Sequence, residues 1–225
     1  MKKLLSLIVL TLLATAGLAT AGCHHGFAEV KGSGKRELQK RPLGPFTSIA
    51  TEGAFNLEIV CGKDVNLEVE GDDNILPLVS SEVRNNVLRL TNTKSYSVDE
   101  PITFRISVPN LEAITADGAG KIQITGVNND KIQISSNGAP SITVAGTTKM
   151  VGVDSNGAAR IDTHNLRSAH AIVDTKGASK VDLGVCDKLD VNVSGVSQVT
   201  YRGDPVVNKT VHGPGKVEKR ADTGA

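Results

Sequence analysis

The sequence predicts an all-β protein: a right-handed parallel β-helix-like solenoid with short strands, glycine corners and coils of about 18–20 residues. Three observations carry that prediction. First, a glycine followed by a compact residue recurs at Gly118, Gly138, Gly157, Gly177, Gly195 and Gly213, in steps of 20, 19, 20, 18 and 18 residues. Second, apolar residues recur in fixed columns around these glycines. Four places before stand Ile114, Ile134, Val153, Val173 and Val191, and four places after stand Ile122, Ile142, Ile161, Val181, Val199 and Val217. A third column, six places after, holds Ile124, Val144, Thr163, Leu183 and Tyr201. Third, the composition suits short strands and tight turns: 23 glycines, no tryptophan, and abundant Val, Ile, Thr, Ser and Asn beyond residue 100.

The chain divides in order. Residues 1–22 read as a signal peptide, with Lys2 and Lys3 before an apolar run too short for a membrane span of roughly 20 residues. Leu18-Ala-Thr-Ala-Gly-Cys23 resembles the bacterial lipobox, so Cys23 is the expected lipidation site and the mature N-terminus. Thr20 stands where that pattern prefers leucine, and the competing reading is cleavage after Ala19-Thr-Ala21 with release of a soluble protein. More than one acyl chain on Cys23 would anchor it stably, since a single chain binds only marginally. Residues 23–41 read as a polar, glycine-bearing tether; the His24-His25 pair has no partner cluster and reads as linker, not as a metal site.

Residues 42–110 form an N-terminal β region. Ile49-Ala-Thr-Glu-Gly53-Ala-Phe-Asn-Leu-Glu-Ile59 repeats the later grammar and reads as a first coil. Val65 to Val69 alternates strictly and reads as a half-buried strand. Glu70-Gly-Asp-Asp-Asn74 reads as a turn, Ile75 to Val83 as a short helical or irregular crossing, and Val87 to Leu90 and Ile102 to Val108 as strands about a polar loop. Pro109-Asn110 leads into the repeats; a soft boundary lies there, or the two parts share one core.

Residues 111–219 form the repeat solenoid. The apolar columns should point inward because strand side chains alternate faces. The columns three and five places after each glycine, such as Lys121 and Gln123, are polar and should face solvent. The small residue after each glycine is expected at a crowded corner. Six coils about 4.8 Å apart give a rod of roughly 29 Å. Lys209 and Lys219 interrupt the apolar columns in the last coil and read as a polar cap on an open sheet edge. Residues 220–225 read as a disordered tail.

Composition limits function. A formal net charge of +1 offers no field for nucleic acid, and 3% aromatic residues provide no stacking platform for bases or sugars. Three cysteines cannot make a disulfide framework; Cys61 and Cys186 could pair in an oxidising compartment or remain buried thiols. The column three places before each glycine (Thr115, Ser135, Asp154, Asp174, Asn192 and Thr210) sets Asp154 and Asp174 on adjacent coils. Their separation of roughly 5 Å is that of the carboxyl pair in retaining glycosidases. Asp162 and Asp182 form a second such pair. A solvated polar ladder explains both equally well. The turns lack the calcium nonapeptide, and His164, His170 and His212 lack metal-ligand spacing, so no metal or cofactor is expected.

Several short motifs, taken in order, resemble a bacterial family described as an auto-transporter adhesin with a head GIN domain, a domain of unknown function. They are Val30-Lys-Gly-Ser-Gly34, Arg41 through Phe46-Thr-Ser-Ile49 and Gly53, Asp73-Asn74-Ile-Leu, Leu88-Arg-Leu, Tyr201-Arg-Gly-Asp-Pro205 and Gly213-Pro-Gly-Lys-Val217. The resemblance covers about residues 29–218. It implies an exported, often lipid-anchored β-helix-like protein of the cell envelope, with no established catalytic residues to transfer. The expected function is therefore a non-catalytic binding or adhesion module, on an outer-membrane lipoprotein or a soluble periplasmic or secreted protein. Its expected partners are the membrane, through Cys23, and a glycan or envelope protein. The alternatives are a polysaccharide-active enzyme using the paired carboxylates and a purely structural envelope protein.

Overall fold

The computed structural model describes residues 29–220. The signal peptide, Cys23, the His24-His25 pair and residues 221–225 lie outside the described residues. The strands are β1 (Val30–Lys31), β2 (Arg36–Lys40), β3 (Ser48–Ala54), β4 (Asn56–Cys61), β5 (Asn66–Asp72), β6 (Val79–Arg84), β7 (Val87–Asn92), β8 (Tyr96–Ser97) and β9 (Thr103–Val108). They continue as β10 (Ala113–Ser136), β11 (Ala139–Ser155), β12 (Arg160–Gly177), β13 (Lys180–Val185), β14 (Lys188–Gly195), β15 (Gln198–Arg202), β16 (Val206–His212) and β17 (Lys216–Lys219). A short 3₁₀ turn at Leu76–Leu78 starts the segment expected to be helical or irregular, and the rest of that segment is β6, antiparallel to β7. The architecture is a β-solenoid of about five turns.

The long strands β10, β11 and β12 each bend round a corner, where the ladder shifts register and then resumes. β10 stacks in parallel register on β11, and β11 on β12, with Ile122 opposite Ile142 and Ile142 opposite Ile161. The coil length varies by two residues, and the register shifts between Ile124 and Val127, between Thr143 and Ala145, and between Asp182 and Val185 absorb the difference at one corner. The three apolar columns point inward as alternation requires, with Ile114, Ile134, Ile142, Ile161 and Val181 buried. Their ladders end at Lys209 and Lys219, both exposed.

The corner differs from expectation in one respect. The residue after each glycine is exposed at Ala119, Ala139, Ala158 and Ala178. The crowding falls on the glycine itself. A Cβ on Gly138 would lie 2.1 Å from the carbonyl oxygen of Gly118, and one on Gly157 2.1 Å from that of Gly138. Gly53 underlies Gly118 in the same file, at 2.2 Å. Just inside the corner runs a hydroxyl ladder that the sequence pattern did not suggest. Ser155 Oγ lies 2.7 Å from Ser179 Oγ, Ser179 Oγ donates to the Gly157 carbonyl at 3.1 Å, and Ser197 Oγ to the Gly177 carbonyl at 3.2 Å.

The N-terminal region stacks out of sequence order. β3 lies in parallel between β7 and β10, and β4 between β9 and β10. The first coil is thus the second layer, and the later pair β7 and β9 forms the layer beneath it. The antiparallel strands β5 and β2 complete the cap on β9. The stretch read as a tether pairs from Val30 onward, because β1 bonds to β8 and β2 to β5. Arg36 helps hold it by donating to the carbonyls of Glu100 and Pro101 at 3.1 and 3.3 Å. Asp72, expected in a turn, is buried in β5 and accepts the Gly34 N–H at 2.9 Å. One hydrophobic cluster runs from Phe46 in the cap to Val199 in the last coils.

Cys61 and Cys186 are both buried and both free. Burial pushes the Cys61 thiol up to about 11 and raises that of Cys186 as well, the latter with help from the Asp187 charge. Thiolates are the reactive form. In mature protein carrying Cys23→Ser, a thiol reagent at about pH 8 should therefore label neither cysteine until denaturant unfolds the chain. Stoichiometric labelling of the native protein would contradict the burial.

Candidate binding face

The coil side that precedes each glycine corner carries two outward columns that hold Asp154, Asp174 and Asp190. Parallel registry aligns Ser135, Asp154, Asp174, Asn192 and Thr210 in a single file. The sequence-predicted pair Asp154 and Asp174 therefore does meet on adjacent coils, half-buried and outward. Beside that file runs a second one holding Gly152, Ile172, Asp190 and Asn208. Over the last three coils an open groove of about 620 Å³ crosses the two files; its lining includes Ile172, which is 41% exposed, with Asp174, Asp190 and Asn208, and reaches Val207 and Lys209 of β16.

The carboxylates of this face fall into two kinds. Asp190 is fully engaged: Lys188 Nζ at 2.7 Å, Asn208 Nδ2 at 2.7 Å and His170 Nε2 at 2.6 Å surround it. The Lys188 ammonium first, then the Asn208 amide and His170, hold its carboxyl well below the usual carboxylate range. Asp154 and Asp174 are under-satisfied. Each keeps one oxygen, Oδ1, buried without a donor, and so does the next residue in file, Asn192. Among the described residues, the only donor reaching the pair is Asn192 Nδ2, 3.4 Å from Asp174 Oδ2. Three successive coils thus carry a buried acceptor oxygen each, in a row, beneath the partly exposed side chains.

Like charges directly opposite in a sheet are destabilising, and buried acceptors without donors add to that. Asp174→Asn is therefore expected to raise stability by about 0.2–1 kcal/mol, read as a higher urea midpoint at unchanged m-value. A lower midpoint would mean that the pair is held by donors.

The second predicted pair, Asp162 and Asp182, also aligns on adjacent coils, but each carboxylate has its own partners. Burial raises the Asp162 carboxyl, yet the His164 N–H at 3.0 Å and ring nitrogen at 2.6 Å outweigh it, leaving it below its ordinary value. Asp182 takes a hydrogen bond from Thr200 Oγ1 at 3.1 Å and pairs with the Arg220 guanidinium. Arg220, read as the start of a disordered tail, is instead fastened across the coils; its N–H also donates to the Tyr201 carbonyl at 2.8 Å. His164 and His170 are carboxylate partners, and His212 is exposed in β16. Among the described residues no group of three His, Cys, Asp or Glu side chains could hold a metal.

The fold has solved relatives. A "putative adhesin" from Bacteroides fragilis matches at a TM-score of 0.65 and 23% identity, over 85% of this chain and all of the other. A "putative lipid binding protein" from Parabacteroides distasonis matches at 0.51 and 17%, over 86% of this chain and all of the other. At these identities the likeness is one of fold. No curated protein matches the chain. The family model described as "Putative auto-transporter adhesin, head GIN domain" matches residues 45–205, which hold β3 to β15, and the chain belongs to that family.

Proposed function

We propose that this chain is an exported, non-catalytic binding module of the bacterial envelope, tethered by lipid on Cys23, that holds a hydroxyl-rich glycan along the file of Asp154, Asp174 and Asn192. The family supports an adhesive role at the cell surface. The observation that carries the finer reading is the open groove whose lining sets Asp174 and Asn192 beside Asp190 and Asn208. Carboxylates and amides along a groove can accept from and donate to the hydroxyls of such a ligand, directly or through water. Charge at this face then contributes to binding at the expense of stability, as at other functional sites.

The test is capture on a glycan array by mature chain carrying Cys23→Ser. Asp174→Ala and Asn192→Ala should each reduce the signal severalfold while leaving the fold intact by circular dichroism. Equal capture by both variants overturns the site, and no capture of any glycan overturns the ligand class. The geometry of Asp154 and Asp174 also suits the glycan-cleaving reading, which predicts new reducing ends on incubation with a bound glycan. Their absence with undiminished binding sets that reading aside. For the tether, mass spectrometry of the mature N-terminus is expected to find an acylated Cys23; an unmodified start at Gly22 or Cys23 refutes it.

A further inference from the structure

The last coil ends the solenoid with an open edge, and its side chains are not those of a plain polar cover. Among the described residues β16 pairs only with β14, and β17 only with β15. One side of each strand therefore presents unused N–H and C=O groups. The inward positions of β14 directly beneath, Leu189, Val191 and Val193, are buried. Their register partners in β16 are Val207, Lys209 and Val211. Val207 is half-buried and Val211 is 38% exposed, because no further coil covers them. Lys209, between them, stands in a column otherwise filled by Ile114, Ile134, Val153, Val173 and Val191. It makes no ion pair among the described residues, whereas Lys216 and Lys219 of β17 are paired with Glu218 and Asp204.

From this pattern we infer that the edge of β16 is a docking strand for an extended polypeptide segment in which an acidic residue alternates between two apolar ones. The inference deepens the reading of the chain as a binding module and rests on it. An added strand in register sets its apolar residues over Val207 and Val211 and its carboxylate against the Lys209 ammonium. Backbone hydrogen bonds supply the attachment, and the alternate side chains supply the choice of partner. The pattern apolar–x–acidic–x–apolar is symmetrical, so it suits either strand direction.

Charge argues against a second copy as the occupant. Antiparallel pairing of two β16 edges about their centre opposes Lys209 to Lys209, which is destabilising. The other end of a second copy offers β6, whose Ser81 Oγ accepts from the Arg41 guanidinium at 3.3 Å, so that a cation would again meet a cation.

The experiment is fluorescence anisotropy of a short labelled peptide that alternates threonine and valine around a central glutamate, titrated with mature chain carrying Cys23→Ser. Binding should weaken about tenfold when lysine replaces the glutamate. The preference should invert in Lys209→Glu, an exposed site where the change leaves the fold intact. Hydrogen exchange should slow in Val206–His212 on peptide addition and not in β3 or β4. Binding of neither peptide, or binding indifferent to both charges, overturns the inference. A concentration-dependent dimer by sedimentation with no peptide binding assigns the edge to a second copy and overturns it too. If the peptide fails while glycan capture persists, only the edge is refuted; if glycan capture also fails, the binding reading falls with it.

Discussion

Gly138→Ala is expected to cost about 3–5 kcal/mol, enough to unfold much of the population of a domain of ordinary stability. The reason is space. The added Cβ meets the Gly118 carbonyl oxygen at 2.1 Å and its nitrogen at 2.8 Å, and both are backbone atoms in the coil beneath. A flexible side chain could turn away from the methyl group, but the Gly118 backbone, held in the ladder between β10 and β3, cannot. Relief requires the two coils to part, which breaks hydrogen bonds along the whole corner. The control lies one residue on: Ala139→Ser, at an exposed position, should shift stability by no more than about 0.5 kcal/mol. Chemical denaturation of the two variants side by side checks the pair of expectations. If Ala139→Ser were as damaging as Gly138→Ala, the corner would be packed as the sequence pattern first suggests and not as the structure has it.

Phe104→Ala is the second large effect, with an expected loss of about 3–5 kcal/mol. Phe104 is fully buried in β9 and meets Phe55 edge to face, with ring centroids 5.3 Å apart and planes at 89°. The two are the largest side chains sealed in the cap, so truncation leaves a cavity between rigid ladders that cannot collapse. Because β9 lies under β4 and β4 under β10, and one cluster of buried residues continues to Val199, the loss should be shared by the entire chain. Thermal unfolding should keep a single transition, shifted down. Two separated transitions would show that the cap and the coils unfold independently.

Much of the architecture was legible in the sequence because a solenoid repeats its instructions. Each coil carries the same glycine and the same apolar positions, so Ile122, Ile142 and Ile161 could be aligned before any contact was known. Only long-range stacking could show that β7 and β9 lie beneath the earlier pair β3 and β4, since the sequence order runs the other way. Serine and threonine in the corner were ambiguous for a related reason. Ser155 and Ser179 are polar, yet they face inward, where their hydroxyls meet each other and Ser179 reaches the Gly157 carbonyl of the preceding coil.

At the candidate site the sequence aligned Asp154 with Asp174 and Asp162 with Asp182 and offered no means of separating the two pairs. The distinction comes from residues distant in the chain. Arg220 reaches Asp182 from 38 positions away, while among the described residues no such cation reaches Asp154. Asp190, hidden in a column not singled out by the repeat, gathers Lys188, Asn208 and His170 from three coils.

The sequence alone therefore determined the repeat, the inward and outward columns and the polar end of the rod, because alternation and period are local properties that every coil restates. The tertiary structure alone decided that the glycine and not its neighbour is crowded, which carboxylates have donors, and that Val207 and Val211 flank an ion-pair-free Lys209 on the outer edge of β16 among the described residues. Those are distances between backbones and side chains on different coils, and no single coil encodes them.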